Sequence, residues 1–204
     1  MMKGWAYYQT STLALVPYMP GTPVYRDGVL VELYRRTRDE GKIDTIFCGD
    51  DLNLDAFVAY FEKRKTMQVL CKVEDNKTLK PAGYCWADLP RGVDGAKAVM
   101  CGFCFFEEYI RIAKDLGRLG VAYWFEDLVI DVIHGVLLES NDTGAHYARL
   151  LGFKDVAVVP KYHYFRGELV DARVMMLEKK DFMPAFNDWF ETQKEEQIPV
   201  EIPA

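Results

Sequence analysis

Histidine is scarce in this chain, with three among 204 residues: His134, His146 and His163. They form no ligand-spaced motif, and no Ser-His-Asp, Cys-His or metal-binding constellation can be assembled around them. A hydrolytic triad and a zinc centre are therefore set aside. The five cysteines, Cys48, Cys71, Cys85, Cys101 and Cys104, are odd in number, and four of them sit in apolar, strand-like runs. That pattern reads as buried, reduced thiols. Cys101-Gly-Phe-Cys104 has CxxC spacing but no second pair to complete a zinc site. A membrane-length apolar run of about 18 residues is lacking. Met1 to Tyr8, with one Lys and no long apolar segment, does not read as a signal peptide, so the expected location is cytoplasmic. A basic excess is lacking too. The net charge is −6 and the pI about 5.2, which argues against a nucleic-acid surface and is compatible with a cationic partner such as an amine. No repeat is visible, and no Gly-x-Gly-x-x-Gly follows the first strand, which excludes a dinucleotide-binding fingerprint.

What is present is ordinary globular material, 50% apolar and 27% charged, at a length that suits one domain over residues 1–204. Leu13 to Val16 reads as a first strand inside a turn-rich N-terminal extension, residues 1–27. Val29 to Arg38 has apolar residues at helical spacing, and Thr45 to Cys48 reads as a short strand or extended link. Leu54, Phe57, Val58 and Phe61 repeat at i, i+3, i+4 and i+7, the mark of an amphipathic helix, with caps offered by Asp50 to Asn53. Three strands follow: Met67 to Val73, Lys80 to Leu89, and a long apolar run from Ala96 to Ile110. The last reads as a central strand buried on both faces.

The period then changes. Val121, Phe125, Leu128, Val129 and Val132 predict a long helix starting near Gly117 and ending at His134-Gly135. Val136 to Leu138 is a short strand. Asn141-Asp142-Thr143 caps a short helix that closes at Gly152-Phe153. Val156 to Tyr164 and Leu169 to Leu177 form a hairpin about Arg166-Gly167-Glu168. Asp181 opens a last helix through Phe190, ahead of a loose tail. The order is (β)ααβββαβαββ with a terminal helix, a mixed α+β arrangement.

The most specific stretch runs from Glu139 to Phe153. Asn141, Gly152 and Phe153 stand at the spacing of a capped helix that ends in Gly-Phe, and this resembles the second half of the GNAT family of N-acetyltransferases. The hairpin after it is similar to the terminal hairpin of ribosomal-protein acetyltransferases of that family. The resemblance covers roughly residues 44 to 182 and is nearest to phage-encoded GNAT-like proteins.

The resemblance implies a mostly antiparallel sheet of about six to seven strands, split at one parallel pair, with helices on both faces. It implies acetyl-CoA as cosubstrate, seated between strand 97–110 and strand 136–139, and direct transfer to a primary amine of a protein or small molecule. Lys114, Gly117, Arg118, Leu119 and Gly120 stand where the family carries its pyrophosphate loop, although the second glycine falls one residue late. Arg111 adds charge there, and Asn141 completes the cofactor set. Glu107 and Glu108, at the strand's end, are the expected proton acceptors, and alternation lets only one face the cleft. Tyr147 is the expected acid, although the family's usual position falls on Ala148. A non-catalytic binding module of the same fold is the alternative reading. The aromatic share, 14%, leaves a homodimer interface open.

Overall fold

Eight strands share one sheet in the computed structural model, which describes residues 6–18, 28–47, 52–63, 66–75, 77–88 and 98–195. The strands are β1 (Tyr8–Gln9), β2 (Leu13–Pro17), β3 (Gln68–Val73), β4 (Leu79–Asp88), β5 (Ala98–Phe105), β6 (Val132–Leu138), β7 (Lys154–Phe165) and β8 (Glu168–Glu178). The helices are α1 (Val29–Asp39), α2 (Ile43–Ile46), α3 (Leu54–Glu62), α4 (Ala113–Asp127), α5 (Asp142–Leu150) and α6 (Lys179–Glu195). A 3-10 helix, Glu107–Ile112, runs into α4. The spatial order is β1-β2-β3-β4-β5-β6-β8-β7, and every pairing is antiparallel except β5 with β6. That parallel pair requires a crossover, which α4 supplies.

The central strand β4 shows how the sequence covers both faces. Ala82 to Ala87 are all buried, as a strand covered on both sides demands. Alternation sends Tyr84 and Trp86 to one face and Cys85 to the other. Tyr84 and Trp86 meet Phe57 and Phe61 of α3, and Trp86 stacks on Phe47 beyond α2. Cys85 meets α4, where a side chain at Gly120 would strike its sulfur at 2.7 Å. Gly120 is therefore the contact that lets α4 lie close to the sheet.

A buried polar knot ties α4 to β3. Gln68, fully buried, accepts a hydrogen bond from the Trp124 indole at 2.8 Å and one from the Cys85 thiol at 3.4 Å, and it donates to the Thr66 carbonyl at 2.5 Å. Trp124 is itself fully buried. Trp124→Ala should cost about 3–5 kcal/mol in a denaturant titration, because it opens a cavity and strands the Gln68 oxygen.

Several boundaries differ from those the sequence predicts. The sheet gains the two-residue edge strand β1. The turn-rich N-terminal segment is part of the core, since Ala14 and Leu15 are fully buried and β2 pairs along its length with β3. Thr45 and Ile46 are helical in α2, while Cys48 lies outside the described residues. The long third strand ends at Phe105. The helix after it begins at Ala113 and stops at Asp127, and Val132–Gly135 are strand instead of helix end. A run of apolar residues does not separate a buried strand from a buried helix by periodicity alone, and β-branched Val132, Ile133 and Val136 pack well in the pleat. Among the described residues no helix is long and apolar enough to cross a membrane.

Candidate active site

The parallel pair breaks apart part-way along. Ala98–Cys101 register with Val132–Gly135, and there the pairing stops. β5 continues against β4 until Gly83↔Phe105, while β6 continues against β8 until Leu138↔Ala172. Each strand stays with its outer neighbour, so the inner edges separate. The backbone of Gly102–Phe105 therefore has no strand partner on its inner side. The gap holds a cavity of about 510 Å³.

Its walls are Cys101–Phe105 of β5, Gly135–Leu137 of β6, Tyr147 and Ala148 of α5, and Lys42, Thr45 and Ile46 at α2. Trp86 reaches under β5 and fills the space where a side chain at position 102 would stand, which requires glycine there. The lining is mostly apolar, and its charged side chains are Lys42 and Glu107.

The two glutamates expected at the strand's end lie in the 3-10 helix. Glu107 lines the cleft. Glu108 is turned toward Arg36, at 2.5 Å, and Lys80, at 3.8 Å. The Glu107 N–H donates to both carboxylate oxygens of Glu40, each at 3.2 Å. Glu40 also accepts from the Lys42 ammonium at 2.5 Å, and that ammonium donates in addition to the Phe105 carbonyl at 2.9 Å. The protein thus supplies its own carboxylate to the N-terminus of this helical run, where an anion is favoured.

Tyr147 projects from α5 across to α4. Its hydroxyl donates to the Ala113 carbonyl, close to the Gly117 N–H. Those two backbone groups stand four residues apart, the separation that an α-helix pairs. A Cβ at position 117 would overlap the hydroxyl, so glycine here makes room for Tyr147. Burial, with the nearby Cys85 and Asp115, holds the phenol well above its ordinary range, against the pull of the Gly117 N–H and Arg118. The hydroxyl is committed to the helix backbone.

The expected pyrophosphate loop is displaced. Gly117 and Gly120 lie inside α4, not ahead of it, because no helix breaker interrupts the chain between Glu107 and Leu116. Leu119 is fully buried in the core, and Gly120 faces Cys85. Arg118 pairs with Asp115 at 2.8 Å and lies 5.0 Å from the Trp189 ring centre. Arg111 and Lys114, beside the start of α4, pair with no carboxylate among the described residues. Of the expected cofactor set, Asn141 lines the cleft, and its side chain caps α5 by accepting from the Gly144 N–H at 2.9 Å. Glu40, Lys42 and Trp86 were not legible as site residues. Their roles depend on contacts across the fold, and α2 reads as a strand in the sequence.

Burial disfavours the thiolate form of the cleft cysteines. Burial pushes Cys104 up to about 11, and desolvation raises Cys101 further.

No protein-family model matches the sequence, and no curated protein matches it. Solved structures do match. A GNAT-family acetyltransferase from Bacillus anthracis superposes with a TM-score of 0.65 at 12% identity, over 84% of this chain and 98% of that one. Spermidine N-acetyltransferase from Vibrio cholerae, solved with CoA and spermine, gives 0.65 at 14% identity over 84% and 98%. Ribosomal-protein-S5-alanine acetyltransferase from Vibrio fischeri gives 0.62 at 14% identity over 86% and 97%.

The fold is that of the GNAT acetyltransferases. In this fold the parted strands are β5 and β6, the crossover helix between them is α4, and the capped helix after the split is α5. The Asn141-to-Phe153 stretch holds the far wall of the GNAT split: Gly152 turns the chain at φ 98°, and Phe153 is buried beneath β6 beside Gly135.

Proposed function

We propose that the protein is an acyl-CoA-dependent N-acetyltransferase whose acceptor is a primary amine. The parting of β5 and β6 around an apolar cleft is the observation that supports this reading most. An unpaired strand edge suits the amides of a pantetheine arm, and apolar walls suit its stem. Lys114 and Arg111 are the groups placed to meet a diphosphate, by side-chain charge in place of helix N–H groups. Acetyl-CoA supplies the thioester-activated acyl group.

The chain's own residues supply the rest. Glu107, at the cleft, takes the proton that an ammonium must lose before it can attack. The apolar walls exclude water from the cleft. Tyr147 acts as a positioning residue, pinning α5 to α4 so that the two walls keep their spacing. Glu107→Gln is expected to lower kcat/KM for acetyl transfer by about 100-fold or more without weakening acetyl-CoA binding. Glu108→Gln, whose carboxylate serves Arg36 and Lys80, should lower it far less. Equal losses in both variants would sink the assignment of Glu107.

A non-catalytic module of the same fold is the second reading. It is favoured by the Glu40 carboxylate on the Glu107 N–H, which uses up a group that an anion would otherwise meet. A calorimetric titration separates the two. Binding of acetyl-CoA that weakens in Arg111→Ala and Lys114→Ala supports the enzyme, and no binding to folded protein supports the module.

A further inference from the structure

We propose that Lys42 is itself an acyl acceptor, so that the protein modifies its own cleft; this rests on the acyl-CoA reading above. Among the described residues that line the cavity, Lys42 is the one with an amine-bearing side chain. It is held in place: the ammonium donates to the Phe105 carbonyl at 2.9 Å and to Glu40 at 2.5 Å, and its side chain keeps 27% of its accessibility. An ammonium has three N–H donors, and these two bonds leave one uncommitted. Phe105 closes the open edge of β5, the same edge that suits the pantetheine arm. A primary amine is thus fixed within the compartment that receives the thioester, and such confinement raises the effective concentration of a reacting pair steeply.

Glu40 serves as the local base. Its carboxylate takes one proton from the Lys42 ammonium. The freed amine nitrogen forms a bond to the acyl carbon and gives up one of its two remaining protons to solvent, the carbon–sulfur bond breaks, and the sulfur leaves with its electron pair. A proton from Glu40 or from solvent completes the free thiol. The net change is an ammonium and a thioester giving an amide, a thiol and one released proton. Acetylation removes the positive charge of Lys42 and so ends its ion pair with Glu40. Glu40 then keeps only the Glu107 N–H, beside the proposed base. The modification would therefore change the charge at the cleft mouth without removing the wall.

The test uses the full chain with acetyl-CoA at neutral pH, followed by peptide mass spectrometry. The expected result is one acetyl group on the Lys42 peptide. It should form at a rate independent of protein concentration, and at least about tenfold faster than on half-exposed, ion-paired Lys72. Lys42→Arg should abolish the fast label without moving it to another lysine. Equal rates at Lys42 and Lys72, or a Lys42 rate that grows with protein concentration, would overturn the proposal. A parallel calorimetric titration keeps the two readings apart. Acetyl-CoA that binds while Lys42 stays unmodified overturns self-acylation alone. Acetyl-CoA that does not bind overturns both.

Discussion

A Gly117→Ala variant is expected to lose about 2–4 kcal/mol of folding stability, a large loss for the addition of one methyl group. The new Cβ would overlap the Tyr147 hydroxyl, with Leu151 close behind at 3.0 Å. The Tyr147 ring lies against Phe105, at 4.7 Å between centroids, and near Phe103. Moving it also leaves its hydroxyl without the Ala113 carbonyl to which it now donates. Alanine ordinarily stabilises a helix interior by up to about 1 kcal/mol relative to glycine, so the sign of the effect is itself diagnostic. Adding Tyr147→Phe tests the cause. Without the hydroxyl the new methyl group loses the atom it overlaps, and the double variant should recover most of the loss. Denaturant titrations of the four species give the coupling directly. A Gly117→Ala protein as stable as the parent would refute the close approach of the Tyr147 hydroxyl to this glycine.

The protein should also be unusually sensitive to alkali. Cys71, Cys85 and Cys104 are buried at 2% exposure or less. Burial pushes Cys71 up to about 12 and Cys104 up to about 11, and holds Cys85 well above its ordinary value of 9.0. Below pH 9 both folded and unfolded chains keep these protons, so pH has no effect through them. Above it the unfolded chain releases protons that the folded chain retains, and stability falls as the pH rises. Each thiol costs up to about 1.4 kcal/mol per pH unit until its folded value is reached. Three together remove several kcal/mol between pH 9 and 11, a large part of what a domain has. Thermal melts across that range should show a steep fall in Tm. A Cys71→Ala, Cys104→Ala protein should show a shallower one. A flat profile would mean that the thiols are not desolvated as the fold requires.

How far the sequence discloses the molecule depends on the range of the contact involved. Local patterns are reliable. The i, i+3, i+4, i+7 repeat from Leu54 to Phe61 is α3, with Asn53 as its cap at 2.9 Å. The hairpin about Arg166-Gly167 is set by two successive residues at positive φ, 50° and 90°. The Asn141-to-Phe153 unit reads correctly because cap, helix and αL glycine all lie within one short segment. The errors fall where an apolar run continues across a boundary. Ala96 to Ile110 looks like one strand, yet after Phe105 the chain winds into a helix whose first N–H is met by Glu40, more than 60 residues earlier in sequence. Glycines at 117 and 120 look like a loop because glycine usually marks one. Here one accommodates a tyrosine hydroxyl and the other a cysteine sulfur, and both contacts come from distant elements. Glu107 is legible at the strand's end, but Glu40 and Lys42, which join it at the cleft mouth, are not, for the same reason.

The central claim is that the space between the parted strands β5 and β6 receives an acyl-CoA. The most direct measurement is a calorimetric titration of acetyl-CoA into the wild-type chain and into Val136→Trp, which places an indole on the first β6 residue past the last parallel pair. Saturable binding to the wild type, lost in a Val136→Trp protein that still melts cooperatively, is the expected result. Binding that survives the indole, or no binding to folded wild type, would contradict it.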